Sequence, residues 1–91
     1  MTHTIREKQK LINRVRRLRG QMEAVERMLE EEKGCTEVMQ VIAGIRGAVN
    51  GLMAEVVEDH IHMHLAAADL SQKDRDEAAA ELVDVVRAYM K

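Results

Sequence analysis

From Ile5 to Lys33 the chain carries no helix breaker stronger than Gly20, and Leu11, Val15, Leu18, Met22, Val25 and Leu29 recur within it at alternating steps of four and three. Apolar residues spaced in this way form one stripe along an α-helix, the seam by which a helix packs along a partner. A second series, Val38, Ile42, Ile45, Val49, Leu52 and Val56, repeats the pattern. Two long amphipathic helices are therefore the framework. There is no proline, and Tyr89 is the one aromatic residue, so apolar bulk comes from Val, Ile, Leu, Met and Ala. That composition favours helices and argues against a β-sandwich.

Thr4-Ile5-Arg6-Glu7 reads as a capping box, which predicts a first helix over about 5–32, with Gly34 in the C-terminal role glycine commonly fills. Gly20 costs about 1 kcal/mol relative to alanine inside that helix, which points to close packing or a contact there. The second helix is predicted over about 36–65, and some thirty helical residues span roughly 45 Å. Gly44, Gly47 and Gly51 thin its middle, most simply to admit another helix. A linker follows from about Ala67 to Leu70. Ser71-Gln72-Lys73-Asp74 then offers an N-cap for a short third helix over about 72–90. Its Ala78, Leu82, Val86 and Tyr89, with Val83 and Met90 alongside, are expected to cover the helical hairpin. The predicted fold class is all-α, a three-helix protomer with two long antiparallel helices and a short third, in one domain spanning 1–91. There is no internal repeat, phosphate-binding glycine loop or helix-turn-helix pair of short helices.

A chain of 91 residues buries only a modest core, so association is expected to add stability. No apolar run approaches the roughly 20 residues of a membrane span, and the N-terminus opens with His3, Arg6, Lys8 and Lys10 rather than an apolar signal core. A cytoplasmic protein without a membrane partner is the expectation. Its single cysteine, Cys35, cannot form an intrachain disulfide, and in a reducing compartment a lone thiol is structural, reactive or a ligand. An enzyme is not expected, because there is no nucleophile-base-orienter set, paired acid and base, or cofactor loop.

His60 and His64 are one helical turn apart and share a face, while His62 between them points elsewhere. Such a pair is either a solvated cluster at a helix end or half of a metal site. Cys35 and His3 favour the second reading. Cys35 stands at the start of the second helix, where the helix dipole favours the thiolate that binds metal or attacks electrophiles. A rigid helix then holds Cys35 and His60 at opposite ends, too far apart to share one ion within a chain. If the ligands meet, an antiparallel symmetric dimer must bring Cys35 of one protomer to His60 and His64 of the other, giving two equivalent sites. Thr2 is small, which favours removal of Met1 and would place a free amine one residue from the His3 imidazole.

The formal net charge of -2 hides a strong asymmetry. Between Ile5 and Gly20 stand Arg6, Lys8, Lys10, Arg14, Arg16, Arg17 and Arg19 against Glu7 alone, whereas Asp69, Asp74, Asp76, Glu77, Glu81 and Asp84 crowd the C-terminal third. Lys10, Arg14 and Arg17 form a stripe beside the apolar seam. A segregated basic helix is the footprint of a polyanion binder; the alternative is a solvated face with internal pairs such as Glu23 with Arg27.

These motifs together, Arg14-Val-Arg-Arg-Leu-Arg-Gly-Gln21, Cys35, Arg46-Gly-Ala-Val-Asn-Gly-Leu-Met53 and His60, resemble the CsoR/RcnR/FrmR family of bacterial transcriptional repressors over essentially the whole chain. Thr2-His-Thr-Ile-Arg-Glu-Lys-Gln-Lys-Leu11 is most similar to its nickel- and cobalt-responsive branch. The resemblance implies a homodimer assembling into a homotetramer, a dimer of dimers. It also implies binding to double-stranded operator DNA through Lys10, Arg14, Arg16, Arg17 and Arg46, and release by an effector that turns on an export or detoxification gene. His3, Cys35, His60 and His64 are the implied metal ligands. Copper-sensing members carry cysteine where His64 stands, and formaldehyde-sensing members pair the cysteine with an N-terminal proline, where this chain has Thr2. Imidazoles with one thiolate suit Ni(II) and Co(II), although Cu(I) or Zn(II) can bind such a set in vitro without being the inducer. Gly34 departs from nickel and cobalt members that carry an acidic residue before the cysteine. Copper sensing and formaldehyde sensing through covalent modification of Cys35 are the competing readings.

Overall fold

The computed structural model describes residues 5–89. Its elements are α1 (Ile5–Glu30), α2 (Cys35–His64) and α3 (Gln72–Tyr89), with no strand among the described residues. Observed helix ends fall within two residues of the predicted ones. Thr4, on which the proposed capping box rests, lies outside the described residues, as do His3 and Met90. The chain forms two compact units, one ending at Met53 and the other beginning at Ala54.

The turn after α1 corrects the expected role of Gly34. Glu32, with φ of 56°, takes the left-handed conformation, and no described glycine has positive φ. Lys33 N–H donates to the Met28 carbonyl at 2.9 Å and Glu32 N–H to the Leu29 carbonyl at 3.2 Å. These are the paired bonds that close a helix around a left-handed residue, and Glu32 holds the position where glycine is usual. Gly34 instead caps the next helix, its carbonyl accepting from Val38 N–H at 3.2 Å. A side chain in the left-handed region costs roughly 1–2 kcal/mol. Glu32→Gly removes that cost but loosens the unfolded chain, so a net gain of about 1 kcal/mol is expected, read as a melting temperature raised by several degrees.

In the unit ending at Met53, α1 and the N-terminal part of α2 run antiparallel. Val25, Val38 and Ile45 form the buried core, with Leu18, Met28 and Val41 packed against it. Within this unit, only alternate members of each predicted seam lie inside. Leu11, Leu18 and Val25 are covered on α1, whereas Val15, Met22 and Leu29 are exposed; on α2, Val38, Ile45 and Leu52 are covered while Ile42 and Val49 are exposed. The covered stripe of α1 is completed by Arg14, Gln21 and Met28. The sequence stripe is thus wider than one helix contact, and its outer edge faces away from the protomer's own core. Close packing is the expectation for the helical glycines, yet a Cβ at Gly20, Gly44 or Gly47 would meet nothing within 4 Å. At Gly51 it would lie 3.2 Å from Arg14 Nη1.

In the unit beginning at Ala54, the end of α2 meets α3. Ala66 N–H donates to the Ile61 carbonyl at 2.8 Å, closing α2. Ser71 starts α3 as predicted, with its Oγ accepting from Asp74 N–H at 3.0 Å. Arg75 Nη2 donates to the Ala67 carbonyl at 3.0 Å, tying the linker to the first turn of α3. The covered stripe of α3 is Arg75, Ala78, Leu82 and Val85. Val83, Val86 and Tyr89 are exposed, Tyr89 at 76%, so Val86 and Tyr89 do not belong to the covering face assigned to them. No described helix is long and apolar enough to cross a membrane.

Candidate functional site

His60 and His64 lie at the C-terminal end of α2, with ring centroids 5.1 Å apart and rings tilted by 41°. His62 points away, its exposed imidazole 3.6 Å from Glu58 Oε1 one turn back. This is the geometry that helical phase dictates for residues four and two apart. His60 Nε2 sits 3.0 Å from the Ala78 carbonyl of α3. A carbonyl only accepts, so Nε2 must carry the proton, which leaves Nδ1 with the lone pair a metal would need. A hydrogen bond on the far nitrogen is the usual device for orienting a ligating imidazole. His64 Nε2 is buried with no hydrogen-bond partner. His64 also lines a cavity of about 350 Å³ with Leu70, Asp74, Glu77, Ala78 and Glu81.

The donor chemistry fits a borderline transition metal, with one oriented imidazole and one orphaned imidazole nitrogen a turn away. Among the described residues, no three His, Cys, Asp or Glu side chains come close enough to hold an ion within one protomer. Cys35 is exposed, with a free thiol, and is the first residue of α2. His3 lies outside the described residues.

The basic residues divide into three groups. Arg14 and Arg17 line a cavity of about 240 Å³ between α1 and α2, together with Leu18, Gln21, Gly47, Ala48 and Gly51. Arg46 lines an open groove with Met39, Ile42, Ala43, Gly47 and Asn50. Lys10 and Arg16 are exposed and line neither. Gln21, Gly47 and Gly51 thus join the arginines, in a grouping absent from the expected interface. Gly47 and Gly51 at i,i+4, and Arg14, Arg17 and Gln21 at i, i+3 and i+7, do carry the signal; only the hairpin register matches the two faces.

Residues 7–88 match the family described as metal-sensitive transcriptional repressor. The chain belongs to this family. An uncharacterized protein encoded in the bioA 5' region of Serratia marcescens is 53% identical over 91 residues, all of both chains. The transcriptional repressor RcnR of Citrobacter koseri is 43% identical over 91 residues, again all of both chains. Among solved structures, a glutamate-to-histidine variant of the formaldehyde-responsive regulator FrmR from Salmonella enterica serovar Typhimurium has a TM-score of 0.90 and 43% identity, covering 97% of this chain and 99% of that one. The copper-sensing repressor CsoR with Cu(I) from Geobacillus thermodenitrificans has a TM-score of 0.89 over 100% of this chain and 94% of that one, and its 24% identity supports the fold alone. Membership in the metal-sensitive repressors makes the chain a transcriptional regulator rather than an enzyme, with DNA as the partner the family implies. The three-helix, strand-free fold is the family's own.

Proposed function

We propose that this repressor binds operator DNA in its metal-free form and leaves it on binding Ni(II) or Co(II), switching on a metal efflux gene. The observation that carries the reading is the His60–His64 pair, with its rings 5.1 Å apart and one buried nitrogen unpartnered. Membership in the metal-sensitive transcriptional repressors, with 43% identity to the transcriptional repressor RcnR of Citrobacter koseri, supports metal-responsive repression.

In this reading His60 offers Nδ1, His64 offers Nε2, and Cys35 and His3 complete the set. α2 begins with Cys35 and ends with His64, so the site takes Cys35 from one protomer and the two histidines from another, in an antiparallel dimer that pairs into a tetramer. A bound divalent ion would supply a common anchor for one thiolate and several imidazoles, a nitrogen-rich set suited to octahedral or square-planar coordination. Lys10, Arg14, Arg16, Arg17 and Arg46 neutralise operator phosphates in the metal-free form. Cys35 and the histidines reach their common geometry in a conformation that arranges those cations less well for DNA. Reciprocity then requires DNA to weaken metal binding by the same factor, typically a coupling of about 1 to 3 kcal/mol.

One observation favours a second reading, a formaldehyde-responsive repressor: Cys35 is an exposed thiol at a helix start, and the chain is as similar to the FrmR variant as to RcnR. The deciding experiment is operator binding by the metal-free protein, titrated separately with Ni(II), Co(II), Cu(I), Zn(II) and formaldehyde. Release by nickel or cobalt is expected. Release by formaldehyde alone, retained in His64→Ala and lost in Cys35→Ala, would transfer the function to electrophile sensing, and absence of DNA binding would end the repressor reading.

A further inference from the structure

We propose that Asn50, exposed in the middle of α2 and followed by Gly51, is a site of spontaneous deamidation, reached through local opening of the glycine-thinned turn that carries it. The product, aspartate or isoaspartate, places a carboxylate one helical turn from Arg46.

The chemistry is intramolecular and needs only water as co-reactant. The Gly51 backbone nitrogen gives up its proton and attacks Asn50 Cγ; the N–Cγ bond forms, the Cγ–Nδ2 bond breaks, and ammonia leaves with that proton. Water then opens the five-membered succinimide at one carbonyl or the other, giving aspartate or an isoaspartate whose main chain runs through Cβ. Glycine favours the first step, because no Cβ shields its nitrogen and its backbone reaches the required conformations freely. The chain has two asparagines, and they differ in these respects. Asn13 precedes Arg14, and its Oδ1 accepts from Gln9 Nε2 at 2.9 Å. Asn50 is exposed, and among the described residues no hydrogen bond fixes its amide.

An intact helix opposes the reaction. A helical ψ of about −42° holds the Gly51 nitrogen away from Asn50 Cγ, and helical bonding commits its N–H to the Gly47 carbonyl. The turn from Gly47 to Gly51 must therefore open, and its surroundings ease that opening. Each glycine costs a helix about 1 kcal/mol relative to alanine, and Gly44, Gly47 and Gly51 stand close together. Added methyls at Gly44 and Gly47 would meet nothing within 4 Å, so packing does not make up the loss. A cavity of about 240 Å³ borders Gly47, Ala48 and Gly51, and the open groove borders Arg46, Gly47 and Asn50. Sparsely packed segments of this kind open without global unfolding.

The consequence for DNA rests on the repressor reading. Arg46 and Asn50 are one turn apart and line the same groove. A carboxylate at position 50 pairs with that guanidinium and repels operator phosphates. Isoaspartate also adds a main-chain carbon to a helix that begins with Cys35 and ends with His64.

The test incubates the full-length, metal-free protein in warm, mildly alkaline buffer, which favours loss of the attacking proton. Peptide mass spectrometry follows each asparagine, with fragmentation that separates aspartate from isoaspartate. The Asn50 peptide is expected to gain the mass of one water less one ammonia, while the Asn13 peptide stays unchanged. Asn50→Gln should suppress the change, since attack on the longer side chain closes a larger ring. Gly47→Ala, which places a methyl in open space and leaves the reacting groups alone, should slow conversion of Asn50 about fivefold, matching roughly 1 kcal/mol of added helix stability. Operator binding should fall severalfold in Asn50→Asp relative to Asn50→Gln, with a lower salt slope. An Asn50 that keeps its mass while the denatured protein converts overturns the site, as does equal conversion at Asn13. Conversion undiminished in Gly47→Ala overturns local opening as the route. Equal operator binding by Asn50→Asp and Asn50→Gln overturns the consequence for DNA. Failure of the unaltered protein to bind DNA would fail the repressor reading separately, with the mass measurement still deciding the site.

Discussion

Replacing His64 by alanine is expected to leave operator binding by the metal-free protein intact and to abolish its release by Ni(II) or Co(II), while His62→Ala keeps both. The two side chains differ in what surrounds them. His64 has a buried nitrogen without a partner and a neighbouring imidazole 5.1 Å away, whereas His62 is exposed beside Glu58. Even changes in the groups that merely orient a ligand cost about 10- to 100-fold in metal affinity, so loss of a ligand should cost at least that much. The check is a nickel titration of the operator complex with each variant. Equal damage from His62→Ala and His64→Ala would sink the shared-face argument.

The second large effect is expected at Arg14. Arg14→Ala should weaken operator binding roughly tenfold and lower the salt slope by about one, because one phosphate contact releases about one condensed counterion. Arg16→Ala should do less. Arg14 is half-buried, lines the α1–α2 cavity and lies over Gly51, while Arg16 is exposed and lines neither that cavity nor the groove beside Arg46. Guanidinium stems also pack, so a thermal melt of each variant separates lost charge from lost structure. A steeper loss at Arg16 than at Arg14 would place the DNA on the outer face of α1 instead.

Local features were the readable part of the fold. Helix extents follow from apolar spacing and the Ser71 cap, and the opposite facing of His62 and His64 follows from helical phase alone. What escaped depends on contacts distant in sequence. The seam containing Val15 and Met22 was visible, but which edge faces α2 depends on the register of the hairpin. The hydrogen bond from His60 to the Ala78 carbonyl needs α3 in place, and so could not be read from a five-residue histidine run. The cap at Glu32 was missed for a different reason. A left-handed turn is set by where the backbone must reverse, and here it reverses two residues before the only nearby glycine.

The divided seam has a consequence for how the protein exists at low abundance. Val15, Met22, Leu29, Met39, Ile42 and Val49 are exposed in a protomer whose described core comprises only Val25, Val38, Ile45 and Ala78. So thin a core offers little to hold a solitary chain together, and an obligate oligomer has no stability separable from protomer concentration. Dilution is therefore expected to unfold this repressor as it separates it, with a melting temperature that climbs with concentration. The number of copies present then governs the fraction folded as well as operator occupancy.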